Sequence, residues 1–279
     1  MKIKSKKINT FLNRKISVFA LAVLIFMLLT AVFGPGLCKY SPYEQNSQNR
    51  LAGVSAEHWL GTDYAGRDTF TRVIYGAEIS LSLALAGVGV GLAIGVSLGL
   101  VSGYYGGVID SVISRAIELL MAFPGLFIAL ITIAILGRSN TNTAFAVAMS
   151  TVPSFMRITR SSVIAVKDTD YVKSCMIIGE SDLRIIMTHI LPNVISLIIV
   201  TFTLNLGSAL LTVSSLSYVG IGINPPYPEW GAMISSGKEA VIAYPLGIIA
   251  PGLAITIFVI SANLVGDGLR DAFDPKNNL

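Results

Sequence analysis

The sequence predicts an all-α membrane protein with six transmembrane helices, and three observations carry that expectation. Of the 279 residues, 53% are hydrophobic and 13% charged, with a mean hydropathy of +0.71, far from the mix of an ordinary soluble domain. Six stretches free of charged residues, 16–38, 79–109, 119–137, 139–156, 190–228 and 240–266, each supply the roughly 20 apolar residues of a spanning helix. With both ends inside, fourteen of the 20 Lys and Arg fall on the inner face, as the positive-inside rule requires. That bias accounts for the net charge of +4 without nucleic acid.

The first span, 16–38, follows a basic segment, 1–15, that holds Lys2, Lys4, Lys6, Lys7, Arg14 and Lys15. Its length and the absence of a small-residue cleavage pattern make it an anchor rather than a signal peptide. Pro35, Gly36 and Leu37 before Cys38 do not form a lipobox. The outer segment, 39–74, contains HWLGTDYAGRD, where Gly, Asp and Thr read as turns and caps and Arg67 sits between Asp63 and Asp68. A compact ordered loop is the expectation there. Cys38 and Cys175 lie on opposite sides, so no disulfide joins them.

In the second span, Gly87, Gly91, Gly95, Gly99 and Gly103 recur every four residues. Gly at that spacing admits close approach of another helix backbone in lipid, either within the chain or in a partner. Before the third span, Asp110 and Arg115 lie near the inner mouth and Glu118 deeper; an intramembrane carboxylate is a candidate for the substrate path, and pairing with Arg115 is the alternative. Pro124 and Gly125 predict a kink. The fourth span carries Pro153, and the fifth carries Asn205, a second weak substrate-path candidate. Trp230, in the outer loop before the sixth span, is placed as an interfacial anchor with a short helix after it.

The segment DYVKSCMIIGESDLRIIMTHILPN interrupts this pattern. Asp170 is the expected N-cap of a two-turn helix that ends at Gly179; Ser181 caps a second helix, Asp182 favours its first turn, and Pro192 stops it. Leu183, Ile186, Met187 and Ile190 form an apolar stripe opposite Arg184 and His189, the latter placed for a helix-dipole contact. A helix, a Gly turn and a helix on the inner face suit either a protein-docking role or a place against lipid headgroups.

The order of small residues, Gly179, then Ile190, Leu191 and Pro192 resembles the EAA loop of inner-membrane permeases of binding-protein-dependent ABC importers, in the dipeptide, oligopeptide and nickel version. HWLGTDYAGRD, PPYPEWGAMI and NLVGDGLRDAFDP resemble that family's other motifs in order. The resemblance implies a five-helix type-1 ABC transmembrane domain at 75–267, one extra N-terminal helix, and a tail at 268–279. It implies that the loop at about 165–192 docks on an ATPase through Lys173, Ser174, Cys175, Gly179, Ser181, Asp182, Arg184, His189, Leu191 and Pro192. It further implies a homologous permease subunit, two ABC ATPase subunits that use ATP and Mg²⁺, an extracytoplasmic solute-binding protein, and di- or oligopeptides as cargo, with nickel or metal chelates as the alternative. Lys173, Ser174 and Cys175 depart from the family's Glu, Ala, Ala.

No G-x-x-x-x-G-K-[ST] phosphate loop occurs, so no cofactor is expected on this chain and the chain is not expected to be an enzyme. His58 and His189 are the only histidines, and no H-E-x-x-H or Cys/His spacing suggests a metal. From residues alone the rival function is an ion-coupled secondary transporter, which Gly- and Pro-broken helices also suit.

Overall fold

The computed structural model describes residues 9–223 and 225–273. Lys2, Lys4, Lys6 and Lys7 of the basic tail, and the final residues of the closing segment with Lys276, lie outside the described residues. The elements are α1 (Lys15–Phe33), α2 (Thr69–Tyr105), α3 (Gly107–Met121), α4 (Gly125–Leu136), α5 (Asn140–Lys167), α6 (Asp170–Ile177), α7 (Asp182–Tyr218), α8 (Trp230–Gly237) and α9 (Leu246–Phe273), with four short 3-10 or π segments.

Four helices, α1, α2, α7 and α9, are long and apolar enough to cross a membrane, and α3 with α4 makes a fifth when the bent pair counts as one span. The expected third span, 119–137, breaks at Ala122–Pro124, where the two helices meet at 95°. Pro124 lacks the N–H that would continue α3, and its extended backbone starts α4 instead. The expected fourth span lies in α5, which is 28 residues long; Arg157, Arg160 and Lys167 shorten its apolar portion. Pro153 is accommodated inside this helix.

The glycine stripe finds its partner within the chain. A Cβ on Gly87 would lie 2.6 Å from Val147, on Gly95 2.6 Å from Phe155, on Gly99 2.7 Å from Thr159 and on Gly103 2.8 Å from Val163, and Gly91 abuts Thr151. Each pair is offset by 60 positions, so α2 and α5 run parallel in fixed register. The contact substitutes backbone packing for the hydrophobic drive that lipid cannot supply.

α7 and α9 run antiparallel, with Gly207 beside Val259 and Asn263, and Gly266 beside Leu204. α1 lies along α9, where Ser17 donates to the Leu264 carbonyl at 3.0 Å and Arg14 pairs with Asp271. The start of α1, the end of α9 and the start of α7 therefore share one end of the molecule. At that same end, Arg160 of α5 grips Asp110 of α3 through Nε and Nη2, both at 2.5 Å, and Ser102 and Ser114 donate to the same carboxylate.

The opposite end carries the outer loop. Asp63 accepts from the Ala65 and Arg67 amides and from Arg67 Nε at 2.7 Å, while Asp68 caps α2 through the Thr71 amide and accepts from His58 Nδ1 at 2.8 Å. Asp68 thus turns to His58 and not to Arg67. Trp230 corrects the expectation of an interfacial anchor: it is 1% exposed, and its indole N–H donates to the Val73 carbonyl at 2.9 Å. The absence of a side chain on Gly76 leaves room for its ring.

Candidate functional site

The site is built around the turn between α6 and α7. α6 starts one residue earlier than expected, with Thr169 as N-cap and Asp170 in its first turn. It closes on Gly179 at φ +83°, where the Gly179 amide bonds the Met176 carbonyl and the Glu180 amide bonds that of Cys175. This double closure satisfies the last carbonyls of α6 and requires the left-handed backbone that Gly adopts without strain. An added Cβ there would meet open space, so backbone geometry alone selects the residue.

Ser181 is the N-cap of α7 by backbone, its carbonyl accepting from the Ile185 amide at 3.0 Å, but its side chain makes no cap bond. Asp182 accepts from the Tyr104 hydroxyl at 2.7 Å, which ties the turn to the end of α2. Lys167 anchors the same corner: its ammonium bonds the Tyr104 carbonyl and sits 5.4 Å from the ring centroid.

Pro192 does not stop the helix. Residues Ile185–Ile190 form a π segment, the Leu191 amide bonds the Ile186 carbonyl five residues back, and the helix runs on to Tyr218. The wider turn has already displaced the bonding register where the missing Pro N–H and the ring would clash, so the proline is absorbed. Asn193 Nδ2 takes up the His189 carbonyl at 2.6 Å. The same wide turn splits the expected apolar stripe. Ile185, Ile186 and Ile190 are buried, whereas Leu183 and Met187 face outward.

The outward face is apolar. Ile177 is 85% exposed, Ile178 79% and Leu183 71%. At 37 residues α7 is about 55 Å long, well beyond a ~30 Å hydrocarbon core. Its first turns carry Asp182, Arg184 and His189 ahead of the uncharged run that begins at Ile190, and there, with α6, a patch of large apolar side chains stands beside a charged rim.

That rim contains Lys173, 3.6 Å from Asp168, and Ser174, which bonds its own helix at the Asp170 carbonyl. Glu180 receives Arg184 Nε at 2.9 Å on one oxygen and meets His189 Nε2 at 3.1 Å on the other. His189 is thus held by a carboxylate; the helix-dipole contact expected for it has no helix end to act on, because the helix continues to Tyr218. Cys175 borders the pair; burial pushes its thiol up, and the Glu180 carboxylate adds to the shift. Leu191 packs against the core, and Pro192 is exposed.

Two candidates are not brought to this site. Glu118 is 3.1 Å from Arg115 on the exposed face of α3, the pairing alternative. Asn205 donates to the Thr201 carbonyl at 2.8 Å and to Ser154 at 3.3 Å, joining α7 to α5.

Residues 95–278 match the family described as binding-protein-dependent transport system inner membrane component, and residues 8–53 match the N-terminal TM domain of oligopeptide transport permease C. The chain belongs to this permease family. The dipeptide transport system permease protein DppC of Alkalihalophilus pseudofirmus is 42% identical over 264 residues, which span 95% of this chain and 87% of that protein. The glutathione transport system permease protein GsiD of Pectobacterium atrosepticum is 39% identical over 267 residues, or 95% and 89% of the two chains. Among solved structures, a chain of the MetNI methionine ABC transporter superposes with a TM-score of 0.58 at 14% identity, covering 73% of this permease and 97% of that chain. A chain of an amino acid ABC transporter gives 0.54 at 17%, with 74% and 94% covered. At those identities the likeness is one of fold, that of ABC importer permeases.

One buried carboxylate of this permease escaped the sequence reading. Glu229 is fully buried at the N-cap of α8; it accepts from the Ala232 amide at 2.8 Å and from Ser80 and Ser214, both at 3.3 Å. Its setting among prolines reads as a surface loop, and only its match to an N-cap before Trp230 hinted otherwise. Burial raises its carboxyl above the ordinary range, against the pull of the amides and hydroxyls.

Proposed function

We propose that this permease is one of two homologous membrane subunits of an ATP-driven importer of di- or oligopeptides, coupled to two ABC ATPases and fed by an extracytoplasmic solute-binding protein. The observation that carries the coupling role is the exposed patch of Ile177, Ile178 and Leu183 beside the Gly179 turn. Large apolar side chains projecting beyond the bilayer suit a groove in another protein, with Lys173 and Arg184 at the rim. In this reading the α6–α7 end and both termini face the cytoplasm, and closure of the ATPases around ATP and Mg²⁺ moves the turn. Nucleotide binds those subunits, since this sequence has no phosphate loop.

Peptide as cargo is supported by relatives named for dipeptide and glutathione, both short peptides. Uptake in whole cells tests the energy source. Uptake that survives collapse of ion gradients and stops on ATP depletion supports the importer; the reverse result identifies an ion-coupled carrier. Mass spectrometry and calorimetry of the cognate binding protein's ligand then separate peptide from nickel chelate.

A further inference from the structure

We propose that Cys175, Glu180 and His189 form a binding site for a thiophilic divalent cation, such as Zn²⁺, that bridges α6 and α7 across the Gly179 turn. The Cys175 Sγ, a Glu180 carboxylate oxygen and a His189 ring nitrogen all lie within 4.8 Å of one another. They come from the last turn of α6, the turn itself and the π segment of α7. No regular ligand spacing announces them in sequence.

The donor set is one thiolate, one carboxylate and one imidazole, the nitrogen, sulfur and oxygen ligands that zinc takes in three-ligand sites with a water completing the tetrahedron. Ligand atoms around a tetrahedral zinc sit about 3.3–3.8 Å apart given bond lengths of about 2.0–2.3 Å. His189 Nε2 and Glu180 Oε2 are already 3.1 Å apart, close to that spacing. All three side chains are partly exposed, which gives a cation an approach from solvent. The thiolate and carboxylate together balance a 2+ charge.

The surroundings orient these ligands. Arg184 Nε holds the other carboxylate oxygen at 2.9 Å, leaving Oε2 for the cation and fixing the plane of the carboxylate. The Glu180 amide bonds the Cys175 carbonyl at 3.1 Å, so the Gly179 turn sets the distance between those two ligands. On binding, the thiol loses its proton to solvent and the His189 to Glu180 contact is replaced by two bonds to the ion.

The site does not depend on the transport reading, and its test uses the full-length chain alone in detergent, with Zn²⁺ as the probe. Alkylation of both cysteines is followed by peptide mass spectrometry. Zn²⁺ is expected to slow alkylation of Cys175 by about tenfold or more, with Cys38 unchanged, and a chelator restores the rate. Glu180→Gln and His189→Gln should each remove most of that protection. Co²⁺ supplies a second measurement: a thiolate-to-metal absorption band present in the native chain and absent in Cys175→Ala. Equal Cys175 rates with and without Zn²⁺, or protection that persists in both variants, overturns the proposal.

Discussion

Tyr104, near the end of α2, donates its hydroxyl to Asp182 at 2.7 Å across 78 positions of sequence. The bond joins the glycine-striped helix to the first turn of α7, so the exposed turn is held to the membrane core by a side chain that neither helix's periodicity marks. Tyr104→Phe keeps the ring and the Lys167 contact but removes the hydroxyl. The loss is about 1 kcal/mol, which raises local amide exchange about fivefold. Hydrogen exchange should speed up at 181–185 with the midpoint of global melting nearly unchanged. Unaltered exchange there would show that the bond does not hold the turn.

Gly179 sits at φ +83° with open space around it. Gly179→Val has no steric contact to relieve, yet forces a β-branched residue into the left-handed region at a cost of about 1–3 kcal/mol. In reconstituted vesicles with the partner ATPases we expect ATP hydrolysis to continue while uptake falls. Gly179→Asn, which tolerates that backbone, should retain most uptake. Equal uptake by the Val variant and the native chain would separate the turn geometry from coupling.

Gly95 and Gly89 lie on the same helix but differ in surroundings. A Cβ at Gly95 would sit 2.6 Å from Phe155 and 2.8 Å from the Val152 carbonyl; at Gly89 nothing lies within 4 Å. Gly95→Val should therefore destabilise by about 1–3 kcal/mol or more through overpacking. Gly89→Ala should be neutral or gain up to about 1 kcal/mol from helix propensity. Thermal melting in detergent compares the two, and similar melting points for both variants would contradict the packing.

These residues also show what could be read before the structure. The four-residue spacing needs only helical geometry to reveal a packing face, and Gly179 needs only a helix that ends. Which helix meets the stripe was hidden, because the 60-residue offset is a tertiary register. Pro192 misled for a related reason. A proline ends a regular helix, but the π segment before it is selected by burial of Ile185, Ile186 and Ile190, contacts that no local pattern specifies. The meeting of Cys175, Glu180 and His189 depends on that same wide turn. Burial of Glu229 and Trp230 was masked by neighbouring prolines that suggest an exposed loop.

Glu229 gives a dependence on pH. Its carboxyl is raised above the ordinary value of 4.5 in the fold, so the folded state holds the proton more tightly than the unfolded chain. Its contribution to stability is full below about pH 4.5 and declines as pH rises through the raised value, by at most about 1.4 kcal/mol per pH unit. Glu229→Gln can still accept the Ala232 amide and can donate to Ser80 and Ser214. The variant should flatten the decline in melting temperature above pH 4.5. An identical pH slope in the native chain and the variant would place the titration elsewhere.

The constant register between α2 and α5 has a mechanical meaning. Five glycines seat five side chains of α5 at steps of four residues, about 6 Å along the axis. A smaller slide drives Phe155 or Thr151 against the backbone between two notches, so the pair resists shear like a toothed rack. The interlock therefore favours displacement of α2 and α5 together over sliding of one along the other.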